Sequence, residues 1–306
     1  MDLQNIERGK TLMKQLFKAM IAIAIVSAML MSFASCGSSD SEAEAEVLTT
    51  EAAVYTESAT PVANTSEEVL NYFNNIVNGV KDAKPTIYYR YEKNVPDDSL
   101  KITKKGEENA EETDASLSAL NKSAAGVKDM ILKDIKEESG ELMQGANNTE
   151  HLFVKGESWA SKLTVSDVDY AEIKEVGDNY YITIAFKEVA VNGDTKSLSK
   201  AFNLRNRDEI LNSAEFAKTA AYLKFNDYDV AYADCKITAT VNRLTDEVIN
   251  LNYYKAATVT AHMTGTGTFE KYGDISVMFK LEDIANFDVN WESQFPVSPL
   301  ETTTEA

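Results

Sequence analysis

Cysteine and histidine are scarce in this 306-residue chain, which has Cys36 and Cys235, His151 and His262, and no others. Two thiols permit one disulfide at most, which excludes a cystine-stapled scaffold. With Cys36 placed at the end of the apolar run, two histidines and the one remaining thiol cannot build a zinc site of common spacing, so no metal and no cofactor is expected. Positive charge is short as well: 30 Lys plus Arg stand against 49 Asp plus Glu, for a formal net charge of −19. Such a surface repels nucleic-acid phosphates and anionic headgroups alike. Nucleic acid as a partner and a basic patch as a membrane contact are both excluded. Long apolar runs are nearly missing. The exception, Met20 to Met31 interrupted by Ser27, spans about 18 Å as a helix, short of the roughly 30 Å hydrocarbon core.

Catalytic signatures are missing too. No G-x-S-x-G elbow, H-E-x-x-H helix or S-x-x-K context stands out, and no catalytic residue is nominated. His262, in the alternating stretch VTAHMTG, reads as structural, and His151 sits in a polar connection. Gly265 and Gly267 form a lone G-x-G with neither a third glycine nor a following helix, which reads as a strand end. Asp167 with Asp169, and Asn226 with Asp227 and Asp229, alternate oxygens of the kind calcium uses. Neither set continues into a loop with Gly and a distal Glu, so solvated turns are expected. Cys235, inside ADCKITATV, reads as a small buried hydrophobe. The Tyr-rich stretches IYYRY and LNYYKA either cover a core or present an amphipathic face to a glycan, peptide or acyl chain.

What is present begins at the amino end. Lys14 and Lys18 precede the apolar run, and the small residues Ala34 and Ser35 precede Cys36. This is the layout of an export signal over residues 1–35, with Met13 an alternative start. A signal peptidase needs small side chains because its cleft reads an extended chain, and a thiol one position later is what a diacylglyceryl transferase modifies. Phe33-Ala34-Ser35-Cys36 resembles the lipobox of bacterial lipoproteins, with Phe33 where that box favours Leu. The resemblance implies cleavage between Ser35 and Cys36, acylation of Cys36 and a place on the extracytoplasmic face of the cell membrane. The competing reading is an uncleaved anchor helix with an incidental cysteine. Residues 36–64 hold no Lys or Arg and little apolar surface, so they read as an acidic, disordered tether. Residues 293–306 read as a disordered tail.

Residues 65–292 read as a single α+β domain. Thr65 and Glu68 form a capping box ahead of a stripe of Val69, Phe73, Ile76, Val77 and Val80, which Lys84-Pro85 ends. TIYYRYEK alternates as a strand, and LKITKK, after a turn at Pro96-Asp97-Asp98, reads as its returning partner. A second helix is predicted from about Leu117 to Glu138, ended by Gly140, and a short third one near 207–222. A hairpin turns at Gly177-Asp178-Asn179. Three further strands follow, joined by turns at Leu244-Thr245-Asp246 and Lys271-Tyr272-Gly273-Asp274. On the first of these, Val230, Tyr232, Asp234 and Lys236 are expected to point away from Cys235, Ile237, Ala239 and Val241. The predicted architecture is a long-stranded antiparallel sheet, half-barrel-like if it curves, with two or three helices packed on one face.

This layout is similar to that of surface lipoproteins of Gram-positive anaerobes and, more loosely, of LolA/LppX-like half-barrel lipoprotein carriers, whose concave face holds acyl chains. The second resemblance implies that inward residues of the last three strands, Ile237, Val241, Leu251, Val259 and Phe279, face a ligand. The expected function is that of a non-catalytic, membrane-anchored lipoprotein binding an apolar or envelope-derived ligand (a lipid or glycan) or a partner protein. Two alternatives stand beside it: an envelope hydrolase working through a carboxylate pair, and a structural interaction module.

Overall fold

The computed structural model describes residues 65–96, 99–108, 115–122, 137–204, 207–208 and 223–291. The signal, the tether, the tail and most of the two later helices predicted from sequence lie outside them.

Helix α1, Ser66–Ala83, forms as its sequence dictates. Thr65 Oγ1 accepts from Glu68 N at 3.2 Å, and Glu68 Oε2 accepts from Thr65 N at 3.1 Å. Val69, Leu70, Phe73, Ile76, Val77 and Val80 are buried along one side. Lys84 closes the helix in the left-handed region at φ 50°, its N–H bonded to Val80 O. Pro85 has no N–H with which to continue.

Among the described residues eight strands form one open antiparallel sheet: β1 Thr86–Asn94, β2 Lys101–Lys104, β3 Glu137–Leu142, β4 Val168–Val176, β5 Asn179–Phe186, β6 Leu223–Asn242, β7 Val248–Gly265 and β8 Asp274–Asn290. Their order is β3-β1-β8-β7-β6-β5-β4, with β2 paired to β8 alone. The edges are charged, by Glu137, Glu138 and Glu141 on β3 and by Glu172, Lys174 and Glu175 on β4, which discourages addition of another strand. Strands β6, β7 and β8 run to 20, 18 and 17 residues, well beyond the roughly 3–10 of an ordinary strand. Odd-numbered residues of β7 and β8 share the buried face: Leu251 opposes Phe287, Val259 opposes Phe279 and Met263 opposes Ile275.

Four expectations are corrected. LKITKK does not return along β1. Thr86–Asn94 pairs with Asn290–Glu282, and Lys101–Lys104 pairs with Met278–Ile275, so β1 and β2 follow one another along the same side of β8. The edge of β8 is long enough for both, and Asn121 secures β2 by bracketing Ile102 N and O at 2.8 and 2.9 Å. The helix from Leu117 does not reach Glu138, because Glu137–Leu142 is strand β3 and Gly140 lies opposite Tyr89. A side chain there would strike the Tyr89 ring, so this glycine serves cross-strand packing and not a helix end. Among the described residues α1 is the one long helix, fewer than the two or three expected. Finally, Tyr232 does not point away from Ile237. A bulge inserts Asp234, at φ 58°, between the pairs Ala233–Ala256 and Lys236–Tyr254. The extra residue reverses the alternation, leaving Tyr232 and Ile237 on the same buried face.

The lone G-x-G has a packing explanation. Gly265 ends β7 where the short 3-10 turn Gly267–Tyr272 folds back, and a Cβ there would run into the Phe269 carbonyl. Gly265→Ala is expected to cost about 3 kcal/mol, the range of an overpacked buried site. A change in thermal midpoint no larger than that of a surface substitution would contradict this.

Candidate functional site

Register places three charges in line on the buried face. Lys93 of β1 lies beside Asp283 of β8, and Asp283 lies beside Lys255 of β7. The β6 bulge, with Asp234 and Cys235, sits next to Lys255. Lys255 Nζ is 2.9 Å from Asp283 Oδ2, with the two side chains 7% and 10% exposed. The approach does not follow a hydrogen-bond direction. Both Asp283 oxygens and the Tyr253 hydroxyl lack a hydrogen-bond partner among the described residues, which is costly for buried polar atoms.

Two loops roof this row. The first, residues 148–163, has little regular structure and is fastened to a polar stripe on α1. Asn74 Oδ1 accepts from Leu163 N at 3.1 Å, and Asn78 Oδ1 accepts from Ala160 N and Ser161 N at 2.7 and 3.0 Å. Lys81 Nζ donates to the carbonyls of Phe153, Val154 and Trp159 at 3.1, 2.9 and 3.2 Å. Spacings of four and three residues put these side chains on one helix face. The loop so held lays Phe153 on Tyr253, with ring centroids 3.8 Å apart. The second loop supplies Phe202, edge-on to Tyr253 at 5.8 Å, and Asn203, whose Oδ1 accepts from Lys155 N at 2.8 Å. Between roof and row is a cleft of about 20 Å³, room for a water or one small polar group.

The cleft is lined by Lys93, Lys155 and Lys255 against Glu92 and Asp283, a local excess of cations in an acidic chain. Burial pulls the Lys93 ammonium below its ordinary pKa. Asp283 and Glu138 pull it upward, while Lys255 and Lys155 add to the downward pull. Burial pushes the Cys235 thiol up to about 11 despite a bond to the Ala256 carbonyl, so this thiol is not an activated nucleophile.

The residues singled out in the sequence lie elsewhere. Ile237, Val241, Leu251, Val259 and Phe279 are at most 1% exposed, packed in the core on the sheet face that also carries the row, and none lines the cleft. Asp167 accepts from Lys200, Thr164 and Ser197; Asp227 pairs with Arg207, and no metal-binding cluster occurs among the described residues. On the opposite sheet face His262 Nε2 is 2.7 Å from Asp229 Oδ2, and its Nδ1 is 3.1 Å from Ser276 Oγ. These residue types can make a catalytic triad, but Ser276 is sealed from solvent and donates to Glu108 at 2.5 Å. The chain of bonds stitches three strands to a loop. The row itself left a signal in the sequence that periodicity alone passes over. In L-x-Y-x-K-x-A-x-V of β7 and F-x-L-x-D-x-A-x-F of β8, one inward position on each strand is charged.

No family model, curated protein or solved structure matches the chain.

Proposed function

We propose that the protein is a lipoprotein held to the outer side of the cell membrane through Cys36, and that it binds an acid-bearing, partly apolar ligand from the envelope at the Lys93–Asp283–Lys255 cleft. The Tyr253 hydroxyl and Asp283 oxygens, without hydrogen-bond partners among the described residues, and the neighbouring Lys93 carry this reading. Lys93 and the Tyr253 hydroxyl offer donors to an acidic group, while Asp283 calls for a donor in return. Phe153 and Phe202 supply apolar contact on the roof. The small cleft suits the polar head of such a ligand, with its apolar remainder running out over the roof loops. Half-barrel curvature of the long strands belongs to the same proposal, as it would cup that remainder.

Native mass spectrometry of the full-length protein, released from its own membranes in detergent, tests the reading. The expected result is a retained acidic molecule of small mass, and Lys93→Met should weaken its binding about tenfold or more, the scale of one charge-assisted hydrogen bond. A well-folded sample that retains nothing would count against it.

A further inference from the structure

We propose that Lys255 and Asp283 become joined by an intramolecular amide bond, from Lys255 Nζ to Asp283 Cγ, which locks β7 to β8. The inference rests on the pair's own geometry and holds whatever ligand the cleft takes.

Three observations carry it. The nitrogen is already 2.9 Å from a carboxylate oxygen, held there by cross-strand register and not by a flexible surface encounter. Its approach is off the hydrogen-bond direction, and among the described residues neither Asp283 oxygen receives a hydrogen bond, so the carboxyl group lacks the donors that buried carboxylates ordinarily have. Phe153, Phe202, Tyr253 and Ala285 line the same space, so the pair meets among aromatic and aliphatic groups as well as the neighbouring charges of Glu92, Lys93 and Lys155. Asp167 shows the contrast, since it is equally buried and meets Lys200, Thr164 and Ser197 with a full set of donors. Asp167 is an ion pair with a full set of hydrogen bonds; Asp283 is an ion pair with none among the described residues.

The chemistry balances without any co-reactant. One proton passes from the Lys255 ammonium to the Asp283 carboxylate 2.9 Å away, leaving an amine and a carboxylic acid. The amine lone pair attacks Cγ, a Nζ–Cγ bond forms and one Cγ–O bond breaks. The departing oxygen takes a second proton from the nitrogen and leaves as water into the cleft, which has room for it. Lys93, the register partner of Asp283 on its other side, places positive charge where the oxygen develops negative charge. Holding both groups in one geometry replaces the entropy that an intermolecular amide formation would lose. The amide carbonyl that remains still accepts a hydrogen bond from a ligand.

Peptide mapping of the full-length protein decides the matter. After denaturation and tryptic digestion, the expected species is a branched peptide joining the segment around Lys255 to the segment around Asp283, lighter by one water than the two together. Cleavage after Lys255 should be lost, because an acylated lysine is no longer a trypsin site. Intact wild-type chain should also be one water lighter than Asp283→Ala or Lys255→Met predicts, once each substitution's own mass is allowed for. Finding all of the Lys255 material as linear peptides cleaved after that residue overturns the proposal. This outcome is read on wild-type protein, whether or not either variant folds. A branched peptide that survives in Asp283→Ala overturns it too, by putting the bond elsewhere.

Discussion

Replacing Lys81 with methionine is expected to lower the unfolding free energy by about 3–5 kcal/mol, because each buried carbonyl left without a donor costs roughly 1–3 kcal/mol. Three carbonyls, those of Phe153, Val154 and Trp159, share the three protons of this one ammonium. The residue is 3% exposed, so water does not replace the lost donor. Such a loss is a large part of the total for a domain whose net stability is of order 5–15 kcal/mol. Its consequence extends to the cleft, since the freed segment carries Phe153 and Lys155. Urea unfolding checks the magnitude. A loss under about 1 kcal/mol would mean that Asn74, Asn78 and Asn148, whose Nδ2 donates to Lys81 O at 3.2 Å, hold the loop by themselves. The pH dependence gives a second reading. Burial pulls the Lys81 pKa down to about 8 from the ordinary 10.5, against the upward pull of Glu150 and Glu157. Between those values the unfolded chain binds more protons than the folded one, so this lysine makes stability rise with pH across that window. The rise should be smaller in Lys81→Met than in wild type by this lysine's share.

Cys36→Ser is expected to abolish membrane attachment through lipid completely. Acyl chains contribute about 0.8 kcal/mol per buried methylene, and two of them give stable anchoring where one is marginal. A hydroxyl in place of the thiol leaves nothing for thioether formation, and cleavage between Ser35 and Cys36 should fail with it. The mass of the amino-terminal peptide is the measurement. Wild type should begin at Cys36 carrying a diacylglyceryl group, and the variant should keep residues 1–35 without lipid. An unmodified amino terminus in wild type would remove the basis for placing the protein at the membrane.

Local rules carried the reading of the fold a long way. The capping box at Thr65 and Glu68, the apolar stripe that follows and the turn at Gly177 depend on residues close in sequence, and all were legible. What failed depends on distant partners. Nothing within LKITKK says that its neighbour is β8 and not β1, because the choice is made by the length of a strand some 170 residues later. Residues 137–142 carry three glutamates and a glycine, a poor strand by propensity, yet they pair because β1 has a free edge. The bulge at Asp234 is a single inserted residue, invisible to alternation until Ala233 and Lys236 are seen against β7. The charged row failed to stand out for a related reason. Lys255 and Asp283 each look like one polar residue in a long strand, and their meaning comes from register. The roof loop is the converse case, where Asn74, Asn78 and Lys81 look like solvent-facing helix residues and in fact bind backbone.

The strand order has a consequence for how the molecule comes into being. Strands β1 and β2 are made early and β8 last, yet β8 is a neighbour that both require. Strand β2 therefore has no template, and β1 only one of its two neighbours, until the carboxyl-terminal segment is available. A polypeptide built this way completes its architecture in a late, long-range closure. That delay suits a chain proposed to be delivered across a membrane before it takes shape.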